Sequence, residues 1–151
     1  MPERSPYRHI ACAIDDADAS RRAVAEAARV WGGGPGRLSI VNVADLPAAA
    51  LLGAAVGAPP MEVQWLQGAR DLVAAAAAGL PGAETVVLTG DPQAQAVCDW
   101  AQEAGVDLLV AGVYRGMALR ALLGSFAQHL AYHAPCPVLL VGPGTKSTTA
   151  G

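Results

Sequence analysis

Short runs of consecutive apolar residues alternate along the chain with longer segments of helical periodicity. This alternation is typical of βαβ units, in which helices connect the strands of a parallel sheet. Several of the runs are apolar at every position, as expected for strands that helices cover on both faces. The pattern predicts five strands, at His9–Ile14, Leu38–Val43, Thr85–Leu88, Leu108–Gly112 and Val138–Val141.

Four further segments carry apolar residues at the i, i+3, i+4 spacing of one helix face. The third has the clearest start, since Asp91 suits the N-cap and Pro92 suits the first helical position. In the first, Asp16 or Asp18 suits a capping role. We expect the helices to run from Asp18 or Ser20 to Gly32–Gly34, from about Met61 to about Gly79, from Pro92 to Gly105, and from Leu123 to Ala134.

Length and composition fit one globular domain. The chain has 151 residues, within the usual range for a single domain. Hydrophobic residues make up 53% and charged residues 15%, which is too apolar for a disordered chain, and the apolar stretches are shorter than the ~20 residues of a bilayer crossing. We expect a domain over residues 1–143, with an irregular region at Leu46–Pro60, and a disordered tail over residues 144–151.

Charge and cysteine content argue against several classes of function. The formal net charge is −3 and Lys and Arg do not cluster, so the basic surface that nucleic-acid binding requires is missing. Cys12, Cys98 and Cys136 are odd in number and widely spaced, which argues against a disulfide framework and a zinc site. The first residues contain no apolar run of signal-peptide length. We therefore expect a cytoplasmic protein that binds neither nucleic acid nor membranes.

The pattern of strands also indicates where a ligand would bind. In an open α/β sheet, ligands bind beyond the carboxyl ends of the strands, where the strand order reverses. Three segments are candidates to meet there: Ala13-Ile14-Asp15 after the first strand, Val43 at the end of the second, and the stretch from Gly112 to Ser125 after the fourth.

The stretch after the fourth strand has the composition of an anion-binding loop. Gly112, Gly116 and Gly124 have no Cβ, so backbone amides can approach an anion closely. Ser125 adds a hydroxyl donor at the start of a helix whose positive dipole end points to the same place, and Arg115 adds a charged donor. Spaced glycines also occur where a chain only turns, and that alternative stays open.

Two other arrangements of chemistry-bearing residues are weaker. Asp15 and Asp16 suit a receiver domain, where paired carboxylates hold Mg²⁺, but the phosphate acceptor would have to be Asp91, which the following proline marks as a helix cap. His129 and His133 have the spacing of two metal ligands on a helix, but no Glu beside His129 completes HExxH. A surface or dimer-facing role suits the two histidines better.

Five segments carry a family resemblance and occur in this order: IACAIDDADASRRAVAEAA, LSIVNVAD, VLTGDPQAQAVCDWAQEAGVDLLVAG, GVYRGMALRALLGS and HLAYHAPCPVLLV. Together they resemble the universal stress protein family. The resemblance implies a single open, doubly wound parallel sheet of five strands in the order 3-2-1-4-5, of the adenine nucleotide α-hydrolase-like type. Members of this family are often dimeric, and some of them bind ATP, with or without Mg²⁺, so the resemblance implies the same possibilities for this protein.

The resemblance assigns ligand contacts residue by residue. Ala13, Ile14 and Asp15 would contact the adenine and ribose, and Val43 would pack on the base. The phosphates would be bound by Gly112, Arg115, Gly116, Gly124, Ser125 and the amide of Phe126. Members that bind ATP share the loop pattern G-x2-G-x9-G-[S/T], whereas this chain has G-x3-G-x7-G-S. A branch of the family is similar in having this shorter loop with an Arg where Arg115 stands.

The leading hypothesis is a regulatory protein that binds ATP and hydrolyses it slowly or not at all, because no residue resembles a general base above a γ-phosphate. The alternative is an interaction module that binds no nucleotide and acts through its dimer surface. Val138–Val141 would be an edge strand, and an open apolar edge invites pairing with another chain. We therefore expect a homodimer that forms through strand five.

Overall fold

The computed structural model describes residues 4–45, 62–113 and 124–142. The elements of this part of the chain are β1 (His9–Ala13), α1 (Asp18–Trp31), β2 (Arg37–Val43), α2 (Glu62–Ala77), β3 (Glu84–Leu88), α3 (Gln93–Ala104), β4 (Leu108–Gly112), α4 (Ser125–His133) and β5 (Val138–Val141). All five predicted strands are present, each within one residue of its predicted bounds. The predicted irregular region at 46–60 and the predicted tail at 144–151 lie outside the described residues.

All five strands pair in parallel, in the order β3-β2-β1-β4-β5. The predicted fold class and strand order are therefore confirmed. The chain passes outward from β1 to β3 and then returns to place β4 on the other side of β1, so the strand order reverses between β1 and β4. Ala13 pairs with Val41 of β2 and with Ala111 of β4, which brings the carboxyl ends of the three central strands to the same edge of the sheet, within two residues of one another.

Helices cover both faces of the sheet, and β1 is buried along its whole length. Successive residues of a strand point to opposite faces. Ala11 packs in one core cluster with Val97 of α3, whereas Cys12 packs in the other with Ala27 of α1. Each face of the sheet is covered by its own layer of helices, so side chains that point to either face are buried. The strands are therefore apolar at consecutive positions.

The predicted end of α3 is confirmed, but its predicted start is wrong. Gly105 ends the helix in the left-handed conformation, at a φ of 72°. At the other end, Pro92 has the extended backbone of an N-cap residue, with a ψ of 145°, and the helix begins at Gln93. Asp91 therefore lies one residue before the cap, and within the described part of the chain no side chain caps α3 by a hydrogen bond. None of the helices in the described ranges is long and apolar enough to cross a membrane.

Candidate functional site

A cavity of about 770 Å³ opens at the carboxyl ends of β1, β2 and β4. It lies at the point where the strand order reverses, which is the position predicted for a ligand. Ser20 of α1, Gln93 of α3 and Phe126 of α4 bring the N-terminal turns of three helices to its rim, and one face of α2 completes the wall. Parallel strands joined by helices produce this arrangement, since each helix after a strand starts at the strand's carboxyl end.

The end of β1 is held against β2 by two hydrogen bonds at Ile14. The Ile14 N–H donates to the Val41 carbonyl at 2.8 Å. The side-chain amide of Asn42 donates to the Ile14 carbonyl at 2.7 Å. Both polar groups of the Ile14 backbone are therefore satisfied, and the position at which the chain leaves the sheet is defined.

Asp15 follows Ile14 and organises the start of α1. The Ser20 hydroxyl accepts a hydrogen bond from the Asp15 N–H and donates one to Asp15 Oδ1, both at 2.8 Å. The same Oδ1 accepts a hydrogen bond from the Ala17 N–H at 3.0 Å. Ala17 is the N-cap residue of α1, and no side chain among the described residues caps the helix by a hydrogen bond. Capping by Asp16 or Asp18 is therefore a wrong prediction, because Asp15 and Ser20 stabilise this turn instead.

Gly112, the last residue of β4, borders the cavity from the other side of β1. A Cβ at this position would lie 2.6 Å from the carbonyl oxygen of Ala19 and 3.0 Å from the Ala19 Cβ. The first turn of α1 packs directly on the backbone of β4 here, so glycine is required by the protein itself. This contact explains Gly112 without any ligand.

Most of the predicted site residues meet at the cavity. Those that line it are Ala13, Ile14, Asp15, Val43, Gly112 and Phe126. Gly124 and Ser125 form the N-cap and the first residue of α4 but are not part of the lining. Arg115 and Gly116 lie outside the described residues. The contacts that each residue would make with a ligand stay predictions.

Several residues that line the cavity were not predicted from the sequence to contact a ligand. Asn42 lies within a predicted strand of apolar residues. A polar residue near the carboxyl end of such a strand can indicate a binding or structural role, so this residue could have been identified. Trp65, Gly68 and Leu72 belong to the helical periodicity of α2, and nothing in that pattern separates a cavity-facing residue from a core residue. Asp45 follows β2, where only Val43 was expected to matter.

The lining combines an apolar floor with an acidic rim. Val43 is 8% exposed and Ala111 is 1% exposed, whereas the carboxylates of Asp15, Asp16 and Asp45 lie at the exposed edge. No Lys, Arg or His of the described ranges lines the cavity. The positive charge at this site, as far as the structure describes it, comes from the amino ends of helices.

Among the residues that the structure describes, neither thiols nor metal ligands provide a reactive group at the cavity. Burial raises the pKa of the Cys12 thiol to about 12, and burial also raises the pKa values of Cys98 and Cys136. All three cysteines are free and stay protonated at neutral pH. Within the described ranges, no three His, Cys, Asp or Glu side chains come close enough to hold a metal ion.

The histidine pair of α4 lies away from the cavity. His129 Nε2 is 2.8 Å from the side-chain oxygen of Gln95 on α3, and the rings of His129 and His133 are 4.4 Å apart. The first histidine therefore links α4 to α3. The second is exposed on the surface of α4.

Comparison with known proteins identifies relatives over almost the whole chain. The sequence model of the universal stress protein family matches residues 6–142. No curated protein matches the chain at a significant level.

Solved structures match the fold over nearly their full length. A universal stress protein in complex with cAMP is 28% identical, with a TM-score of 0.59, over 89% of this chain and 96% of that one. Universal stress protein UspA from Lactobacillus plantarum is 22% identical, with a TM-score of 0.59, over 92% and 99%. The universal stress protein from Archaeoglobus fulgidus in complex with dAMP is 23% identical, with a TM-score of 0.60, over 89% and 98%. The last two likenesses establish the fold alone.

Proposed function

The chain belongs to the universal stress protein family, and we propose that it is a regulatory protein that binds an adenine nucleotide, ATP, in the cavity between β1 and β4. The observation that carries the proposal is the cavity itself. It lies at the reversal of strand order, it has room for a nucleotide, and it is lined by Ile14, Asp15, Val43, Gly112 and Phe126.

The nucleoside half of the ligand would occupy the end formed by β1 and β2. Ile14 and Val43 are both 8% exposed and offer apolar surface for the base. Asp15 Oδ1 is occupied by the Ala17 and Ser20 hydrogen bonds, which orient the carboxylate and leave Oδ2 to accept from a ribose hydroxyl. A preoriented acceptor is well suited to a sugar, because little side-chain entropy is lost on binding.

The phosphate half would extend toward the start of α4. Phe126 lines the cavity in the first turn of this helix, where unpaired amides and the positive dipole end favour an anion. Ser125 and Gly124 stand beside it. Arg115 and Gly116 are also proposed to contact the phosphates, on the basis of the family resemblance.

Hydrolysis would be slow or absent. A general base must reach the attacking water beside the γ-phosphate. Asp15 belongs to the nucleoside end, and its carboxylate is tied to the first turn of α1.

Divalent metal would reach the site with the phosphates, because the described carboxylates form no three-ligand group of their own. The Asp and phosphate oxygens are the ligands that Mg²⁺ prefers.

The relative solved with cAMP supports an adenine nucleotide as the class of ligand, since it shares 28% identity over most of both chains. The observation that favours the alternative, an interaction module without nucleotide, is the acidic rim of Asp15, Asp16 and Asp45. Three carboxylates repel a polyphosphate unless cations or helix dipoles compensate them. A direct binding measurement separates the two candidates.

Isothermal titration calorimetry of the purified protein with ATP, ADP, AMP, cAMP and GTP, each with and without Mg²⁺, tests the proposal. We expect adenine nucleotides to bind and GTP to bind more weakly. Asp15→Asn should weaken binding, whereas Asp18→Asn, which removes an equal charge from a carboxylate outside the cavity, should not. Absence of heat with every adenine nucleotide, together with no nucleotide released on denaturation, would refute the proposal.

The same proposal includes a homodimer that acts in the cytoplasm. β5 is an edge strand with four apolar, half-buried residues, Val138–Val141, so an antiparallel copy could cover it. Three free thiols suit a reducing compartment. Light scattering at micromolar concentration checks the dimer, and a monomeric mass would contradict it.

A further inference from the structure

One face of α2 lines the cavity although none of its residues was predicted to contact a ligand. The lining residues of this helix are Trp65, Gly68, Ala69 and Leu72, which follow i, i+3, i+4, i+7 spacing. That spacing places them on a single side of the helix. Val73, one position further, is 2% exposed and packs in the core. The helix therefore presents a continuous strip to the cavity at the edge of its buried face.

Trp65 differs from the other two tryptophans in its surroundings. Trp31 is 8% exposed, and its indole N–H donates to the Gly36 carbonyl at 2.7 Å. Trp100 is partly buried and packs edge-on against the His9 ring at 5.9 Å. Trp65 is 44% exposed and borders the cavity. An indole left in water at the wall of a cavity is a surface that a flat ligand can cover.

Gly68 is one turn further along the same strip. Glycine inside a helix is less favourable than alanine. The protein does not require it for space, because a Cβ at position 68 would meet nothing within 4 Å. This is the opposite of Gly112, where the protein backbone itself excludes a side chain. Gly68 lines the same cavity as Trp65, so the space that a side chain at position 68 would fill is open to a ligand.

We infer that the nucleobase stacks on the indole of Trp65, with Gly68 leaving the space for it, so that α2 forms the aromatic wall of the site. The inference rests on the proposed adenine-nucleotide binding and names the residue that favours a purine over a pyrimidine base. The apolar residues at the strand ends, Val43 and Ile14, line the same cavity and provide further surface for the base. A purine offers a larger face than a pyrimidine, so stacking on Trp65 favours adenine nucleotides over CTP.

Tryptophan fluorescence provides a direct test with ATP and AMP as probes. Stacking on an indole quenches its emission, so the wild-type protein should lose intensity on titration. Trp65→Phe should abolish most of the change, whereas Trp100→Phe, which replaces a tryptophan outside the cavity, should retain it. A quench that persists in Trp65→Phe and disappears in Trp100→Phe would overturn the inference.

Affinity by calorimetry gives the second readout. Trp65→Ala should weaken ATP binding at least about fivefold and lower the ATP to CTP affinity ratio, since base stacking is worth ~1–3 kcal/mol. Trp65→Phe should lose less affinity for ATP than Trp65→Ala does. At Gly68, leucine should weaken binding more than alanine does, because leucine reaches further into the cavity while both substitutions favour the helix.

Thermal unfolding shows whether each variant is folded, and the exposed position of Trp65 and the open space at Gly68 make folding of these variants expected. Binding by the wild-type protein and by the two variants distinguishes failure of the proposed function from failure of base stacking on Trp65. If wild-type protein binds no adenine nucleotide, the proposed function and this inference both fall. If wild type binds but Trp65→Ala and Gly68→Leu bind equally well, with an unchanged ATP to CTP ratio, only the inference falls.

Discussion

The backbone of Gly112 lies against the carbonyl group of Ala19 so closely that a Cβ on residue 112 would be 2.6 Å from the Ala19 oxygen. The contact joins the last residue of β4 to the first turn of α1 across the cavity's edge. It defines how α1 sits over the strand ends. The glycine that sequence analysis connected with phosphate binding therefore has a packing role in the folded protein.

Gly112→Ala should destabilise the protein by about 1–3 kcal/mol, because α1 or β4 must move to admit the methyl group. Gly68→Ala is the matched control, since its methyl group meets no atom within 4 Å. That variant should gain about 0.5–1 kcal/mol from helix propensity. Urea unfolding measures both changes. Equal stability of the two variants would contradict the tight contact at Gly112.

Ser20→Ala should destabilise the start of α1. Ser20 is 7% exposed. Its hydroxyl accepts a hydrogen bond from the Asp15 N–H and donates one to Asp15 Oδ1. Its removal leaves a partly buried N–H without its partner, at a cost of about 1–2 kcal/mol. Chemical denaturation measures the loss. Ser5→Ala serves as control because the hydrogen bond that the Ser5 hydroxyl accepts from the Tyr7 N–H is longer, at 3.3 Å, and Ser5 is only half-buried.

The three thiols should react in the order of their exposure. Iodoacetamide should modify the half-buried Cys136 first, and Cys12 should resist modification in the folded protein, because it is 0% exposed and its pKa is raised to about 12 by burial. Peptide mapping by mass spectrometry gives the order. Unfolding in urea should make all three react alike, and rapid labelling of Cys12 in native protein would count against its burial.

The Cys12 thiol also predicts an alkaline limit to stability. Its folded pKa lies above the usual value of 9.0, so the folded state retains the proton that the unfolded state loses. The stabilising contribution is complete below about pH 9 and declines as the pH rises from there toward 12. The free energy of unfolding of wild type should therefore fall relative to Cys12→Ala across this range. Parallel curves for the two proteins would refute the prediction.

At the amino ends of the strands, Arg37 of β2 and Glu84 of β3 form a two-point ion pair, with N–O distances of 2.9 and 2.8 Å. The Arg37 guanidinium lowers the pKa of Glu84 below its usual value near 4.5. The folded pKa is depressed, so the pair stabilises the protein above the unfolded value, and this contribution is lost as the pH falls through the folded value.

Melting temperatures of wild type and Glu84→Gln should therefore differ at neutral pH and converge as the pH falls from the ordinary carboxyl value of 4.5 through the lowered pKa of Glu84. High salt should reduce the difference at neutral pH, because both side chains are partly exposed. A difference that grows on acidification would contradict the assigned ion pair.

Local patterns in the sequence predicted elements well and contacts poorly. Consecutive apolar residues and turn-forming glycines located all five strands and the stop of α3 at Gly105. The prediction of Asp91 as an N-cap failed because Pro92 takes the extended conformation that the cap position requires. Asp16 and Asp18 failed as caps because Ala17 takes the N-cap position, so Asp16 precedes the cap and Asp18 is already the first helical residue.

The amino-acid sequence by itself determined the strands, the helices, the parallel α/β class and the segments that carry the site, because periodicity and turn chemistry act between near neighbours. Only the tertiary structure decided which residues meet. Gly112 is required by Ala19, Asn42 holds Ile14, and Trp65 with Gly68 shares a cavity with the strand ends. Each of these relationships joins residues far apart in the chain, and its geometry depends on how a helix lies across the sheet, which no local pattern encodes.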